Sequence, residues 1–123
     1  MADRAEHIGQ ADRNRNLAAQ MLANGARTND QPLINWAVTV AFYSAVHCIE
    51  AELANHALHP RNHKERSDCM QSVGLPSEVC LAYDILKDLS EQSRYAMRDF
   101  DPVVVDRSVL NHYLPRVAAL VGL

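Results

Sequence analysis

Ser93-Arg94-Tyr95-Ala96-Met97-Arg98-Asp99-Phe100-Asp101-Pro102 sets two arginines four residues apart beside two carboxylates. On a helix, that spacing gives Arg94 and Arg98 one face. Two guanidinium groups on one face repel unless an anion lies between them. Asp99 and Asp101 can supply it as a salt-bridged helix end, where cations also suit the helix dipole. A phosphate can supply it as a ligand. Tyr43, His47 and Asp99 are the groups expected beside the arginines in a polar groove at the centre of the fold. The structural role is expected to be the larger of the two.

Arg107-Ser108-Val109-Leu110-Asn111-His112 offers a second chemistry. An imidazole can take the proton of a ribose 2′-hydroxyl while a guanidinium stabilises the charged phosphorane, cleaving RNA without a metal. His56, His59 and His63 cluster around Pro60, but no Cys/His finger or HExxH helix accompanies them, so no metal site is expected. His47 lies within an apolar stretch and needs a hydrogen-bond partner there. No GxSxG, phosphate-binding glycine loop or GxGxxG occurs, and no cofactor is expected.

These side chains need a scaffold, and composition points to a helical one. The chain has 123 residues, 48% apolar and 22% charged, in the globular range for one domain spanning 1–123. Gly 4 and Pro 5 are too few for a turn-rich barrel or sandwich, and Ala and Leu far outnumber the β-branched residues. The formal net charge of −3 lacks the basic surplus of a non-specific nucleic-acid binder. Cys48, Cys69 and Cys80 form no CxxC pair, and polar residues follow Met1. A reducing cytoplasmic location is therefore expected. Gln31 to Ile49 carries no Asp, Glu, Lys or Arg, yet its polar residues fit a buried central helix better than a membrane span.

Hydrophobic spacing and punctuation predict helices over Ala2–Asn24, Pro32–Leu58, a short one to Ser72, Pro76–Met97 and Val103–Val121. Gly25 is expected to end the first and His59-Pro60 the second. Asn62 and Glu65 form a capping-box pattern, and Asp101-Pro102 starts the last helix. Pro115 should kink or break it. The expected fold is all-α: an antiparallel up-down bundle of four long helices and one short one. The apolar second face of the central helix, with Val103, Val104 and Val105, predicts a homodimer.

Three segments in order resemble the HEPN family of helical nucleotide-associated domains. Ala41-Phe42-Tyr43-Ser44-Ala45-Val46-His47 is similar to its A-[FY]-Y-x-x-x-H stretch, His59-Pro60-Arg61-Asn62-His63 to its L-x-P-x-x-H turn, and Arg94 to Pro102 to its R-x-x-A-D-Y-D-P ending. The resemblance implies a four- or five-helix bundle that pairs as a homodimer, and it adds His63 to the ligand-binding set. Family members are RNA-cleaving toxins, partners of nucleotidyltransferases in toxin–antitoxin pairs, or non-catalytic RNA- or nucleotide-associated modules. Catalytic members carry R-x(4–6)-H. Counting from Arg94, positions 99 to 101 are Asp-Phe-Asp, and Arg107/His112 has the spacing one helix later. The chain therefore reads as a non-catalytic module. The alternative is a metal-independent endoribonuclease using Arg107 and His112 at a dimer cleft.

Overall fold

The computed structural model describes residues 2–96 and 98–123. It is a helical bundle with no strand among the described residues. Four helices come first: α1 (Arg4–Thr28), α2 (Gln31–Ala54), α3 (His63–Ser72) and α4 (Ser77–Tyr95). The last helical stretch changes type along its length. It opens as α5 (Pro102–Val104), widens to a π-helix (Val105–Tyr113), returns as α6 (Leu114–Ala118) and closes in a 3₁₀ turn (Ala119–Val121).

α2 sits at the centre, packed against α1, α4 and the terminal segments. It is long and apolar enough to cross a membrane by composition. Much of that apolar surface is used inside the fold, because Val38, Phe42, Ala45, Ile49 and Leu53 are fully or almost fully buried. Burial of such side chains contributes about 1.5–3 kcal/mol each and holds the bundle together. Ser44 Oγ donates to the Ala11 carbonyl on α1 at 2.7 Å, and Thr39 and Ser93 hydroxyls meet at 2.5 Å between α2 and α4. These polar contacts fix the register of three helices.

Helix starts follow the local chemistry. Asp3, Asp30, Asn62 and Asp101 each accept a backbone N–H of the turn they open. The capping box at α3 is half-made. Asn62 caps the Glu65 N–H, but the Glu65 carboxylate turns back to the Arg61 N–H and guanidinium instead of the Asn62 N–H.

Helix ends differ from the expected ones. α1 runs through Gly25 and stops at Thr28, with Asn29 left-handed at φ 58° and the Asp30 N–H bonded to the Gly25 carbonyl. Gly25 is buried because α2 passes over it. A Cβ there would lie 2.8 Å from Ile34 Cγ1 and 3.2 Å from the Ile34 nitrogen. Gly25→Ala, which in an open helix gains ~0.5–1 kcal/mol, is therefore expected to destabilise by about 1 kcal/mol net. Urea unfolding showing a gain would mean that Ile34 yields freely.

α2 ends at Ala54, before the predicted Leu58. Ala57 takes the left-handed position (φ 57°) that lets the Leu58 N–H reach the Leu53 carbonyl at 3.0 Å. The expected end of the fourth helix at Met97 lies outside the described residues; its last described helical residue is Tyr95. Pro115 does not break the terminal stretch. The Leu114 N–H reaches back five residues to the Val109 carbonyl, and Asn111 Nδ2 donates to the Asp106 carbonyl at 2.7 Å. The widened turns absorb the proline's missing donor and ring bulk. Val105 is buried, so only Val103 and Val104 of the valine run stay exposed, and Trp36, which the spacing Leu33, Trp36, Val40, Ser44 and Cys48 puts on one apolar face of the central helix, is 53% exposed.

Candidate functional site: a buried arginine between two clefts

Arg66 organises the polar end of the bundle. α3 carries it inward until only 6% of the residue is exposed. Its Nη2 donates to Glu50 Oε1 on α2 at 2.7 Å. Its Nη1 donates to Tyr83 Oη on α4 at 3.2 Å and to His63 Nδ1 at 2.8 Å. The Nε is buried without a partner among the described residues. Burial, the largest influence, opposes the Arg66 charge, but the bonds with Tyr83 and Glu50 outweigh it and raise its pKa. Burial also raises the Tyr83 phenol, against the pull of Arg66. The Phe42 ring packs against His63 and Tyr83 at 5.6 Å from each, walling the cluster from the core.

His63 turns from this cluster toward a cleft of about 590 Å³, shared with Asp88, Glu91, Gln92, Arg94 and Tyr95. Arg94 donates through Nε to the Ser90 carbonyl at 3.4 Å and through Nη1 to its neighbour's Tyr95 hydroxyl at 3.5 Å, and its guanidinium lies 4.9 Å from the Tyr95 ring centre. The acids of the cleft are otherwise engaged. Asp88 accepts from Gln92 Nε2 at 2.7 Å, and Glu91 pairs with Lys87 at 3.3 Å.

The expected face shared by Arg94 and Arg98 is not formed, because α4 stops at Tyr95 and Arg98 lies beyond it. Arg98 turns back to Gln92 Oε1 and covers the Phe100 ring at 4.5 Å. Nor do the two carboxylates bridge the arginines. Asp99 accepts from Asn35 Nδ2 at 3.3 Å, and Asp101 caps α5. Gln31 and Asn35 hold the intervening Phe100 backbone at 2.8 and 3.1 Å, which anchors the loop to α2.

The structure thus brings His63 and Arg94 into one cleft and leaves the other expected ligands elsewhere. His47 lies across Glu50 from Arg66, with its Nδ1 3.0 Å from His7 Nδ1. Burial lowers the His47 pKa, with His7, Arg66 and Arg13 adding to the effect and Glu50 opposing it. His7, His47 and Glu50 are the described residues whose donor atoms converge as metal ligands do; His56, His59 and His63 do not. Tyr43 is exposed beside Phe42. Arg107 and His112 are both exposed, five residues apart on the π-helix, where that spacing is one turn. Arg107 borders a cleft of about 370 Å³ with Pro102 and Val103, while His112 packs edge-on against Tyr113.

Burial lowers the His63 pKa, helped by Arg66, Lys87 and Arg94 and opposed by Glu91. The unfolded chain then binds a proton at His63 that the folded chain refuses. The stability is present above the unfolded value of about 6.5 and is lost as pH falls from there through the folded value. Thermal melts are expected to show a lower Tm at pH 5 than at pH 7.5, with a smaller drop in His63→Gln. An equal drop in both would assign the effect elsewhere.

Sequence reasoning missed Arg66, Glu50, Tyr83 and His7. Their partners lie on different helices, and only the three-residue step from His47 to Glu50 on α2 was a readable signal. No family model and no curated protein matches this chain.

Proposed function

We propose that this chain is a non-catalytic, HEPN-like helical module, an antiparallel up-down bundle that binds the phosphate of a nucleotide or RNA. The observation that carries the reading is the Arg94 guanidinium. It borders the cleft of about 590 Å³ with uncharged partners, while both acids of that cleft are taken by Gln92 and Lys87. A guanidinium of this kind suits a bidentate phosphate contact. His63 adds a second polar edge, and Tyr95, 75% exposed, offers a ring on which a base can stack. Arg98, beyond the helix end, donates to Gln92, a residue of the cleft wall.

Pairing into a homodimer is supported by Trp36 and Tyr43 on α2, 53% and 40% exposed, and by exposed Val103 and Val104. A nucleotidyltransferase partner, which the resemblance implies, and a cytoplasmic location, which the unpaired cysteines favour, complete the reading. Arg94→Ala with Arg98→Ala is expected to remove binding of labelled single-stranded RNA and of ATP while leaving the melting curve near the parent's. Each lost charge-assisted contact is worth about 1.5–3 kcal/mol, at least tenfold in affinity. A double variant that binds like the parent would overturn the reading.

The endoribonuclease alternative is supported by the exposed Arg107 and His112 one π-turn apart. Its test is RNA cleavage in the presence of chelator, lost in His112→Ala. Intact RNA with the parent protein removes it.

A further inference from the structure

His7 from α1 and His47 from α2 bring their Nδ1 atoms to 3.0 Å, although they are 40 residues apart in sequence. Glu50 Oε2 completes a triangle, 3.4 Å from His7 Nδ1 and 4.0 Å from His47 Nδ1. All three side chains are partly buried, with exposures of 12%, 29% and 17%. One proton can bridge the two imidazole nitrogens, or one of them and the carboxylate. A proton on His7 Nδ1 would be shared between His47 Nδ1 and Glu50 Oε2, whereas a divalent cation takes a lone pair from each of the three atoms.

We propose that His7, His47 and Glu50 form a binding site for a divalent first-row transition ion of the zinc type. His7 Nδ1, His47 Nδ1 and Glu50 Oε2 are its three protein ligands, and a fourth position is open to water or another ligand. Bonds of about 2.0–2.1 Å at tetrahedral angles require ligand atoms about 3.3 Å apart, and the observed separations bracket that value. Binding takes both rings as Nε2–H tautomers, each giving its Nδ1 lone pair to the ion.

The outer contacts suit this role. Glu50 Oε1 is held by Arg66 Nη2 at 2.7 Å, which fixes the carboxylate and leaves Oε2 for the ion. Arg66 is in turn held by Tyr83 and His63. Such outer partners orient ligating groups. The site is reachable, because one cleft of about 370 Å³ borders His7, His47, Gln10 and Arg13, and another of about 230 Å³ borders His7, Glu50 and Pro60. Two imidazoles and one carboxylate select zinc, cobalt or nickel over magnesium and calcium, which prefer oxygen ligands. The Arg66 charge offsets that of Glu50, so a hard cation held mainly by charge gains little here. This site is independent of the phosphate reading, since none of its three ligands borders the Arg94 cleft.

The test is a titration of the full chain with zinc against a chromophoric chelator, repeated with cobalt. One equivalent of zinc is expected to bind and to raise Tm. His7→Ala and His47→Ala are each expected to weaken binding at least about 100-fold, since even outer-shell partners are commonly worth 10–100-fold. His56→Ala should bind as the parent does. Cobalt bound to the parent should give ligand-field bands without a thiolate charge-transfer band, a result that holds even if a histidine variant fails to fold. Absence of stoichiometric binding, a thiolate band, or parent-like affinity in folded His7→Ala would overturn the proposal.

Discussion

Glu50→Ala is expected to lower the unfolding free energy by about 3–5 kcal/mol, because it strands a buried charge. Arg66 has little access to water, and Glu50 is the carboxylate that neutralises it, at 2.7 Å. The remaining partners, Tyr83 and His63, are neutral groups whose capacity is already used by Nη1. The Nε already lacks a partner among the described residues, so the cluster has no spare acceptor. Glu50→Gln keeps a hydrogen-bond acceptor and removes the charge, and should fall between parent and alanine variant. Urea unfolding with chelator present, so that no metal contributes, measures the difference. A loss below about 1 kcal/mol would mean that Arg66 swings out to solvent when released.

Leu86→Ala should cost about 2–5 kcal/mol, the range for a fully buried leucine whose surroundings relax only in part. Leu86 is 0% exposed on α4, which packs against α2, in the same core as Phe42, Ile49 and Leu53. Leu81, on the same helix, is 58% exposed. Its replacement by alanine should stay within about 0.5 kcal/mol. The contrast between two leucines five residues apart tests the rotation of α4 about its axis. Equal losses at both positions would place the buried face wrongly.

The helical class and most helix starts were legible because they rest on local chemistry. Asp30 before Pro32, Asn62 before Glu65 and Asp101 before Pro102 each announce a first turn, and each side chain caps a backbone N–H. Ends were less legible. Gly25 reads as a stop, yet it is a passage point where Ile34 crosses α1, a fact of tertiary approach. Ala57 gives no sign that it will adopt the left-handed conformation usually left to glycine. Trp36 reads as core from its spacing, but periodicity cannot tell a covered apolar stripe from an uncovered one.

The candidate site was partly legible for the same reason. Spacing within one helix pairs His47 with Glu50, and it also suggests a shared face for Arg94 and Arg98 that the end of α4 at Tyr95 removes. Arg66 meets Glu50, His63 and Tyr83 only after α2, α3 and α4 have packed, and His7 meets His47 only after α1 has closed on α2. Nothing in linear spacing encodes those meetings.

Nuclear magnetic resonance titration of the isotope-labelled chain with ATP, followed by a short single-stranded RNA, tests the proposed phosphate binding at the Arg94 cleft most directly. The expected result is saturable shifts confined to the Arg94 side-chain Nε–H, the Gln92 side-chain amide, the His63 ring and the Tyr95 backbone amide, with both ligands competing. Shifts centred on another surface, or none with either ligand at millimolar concentration, would contradict it.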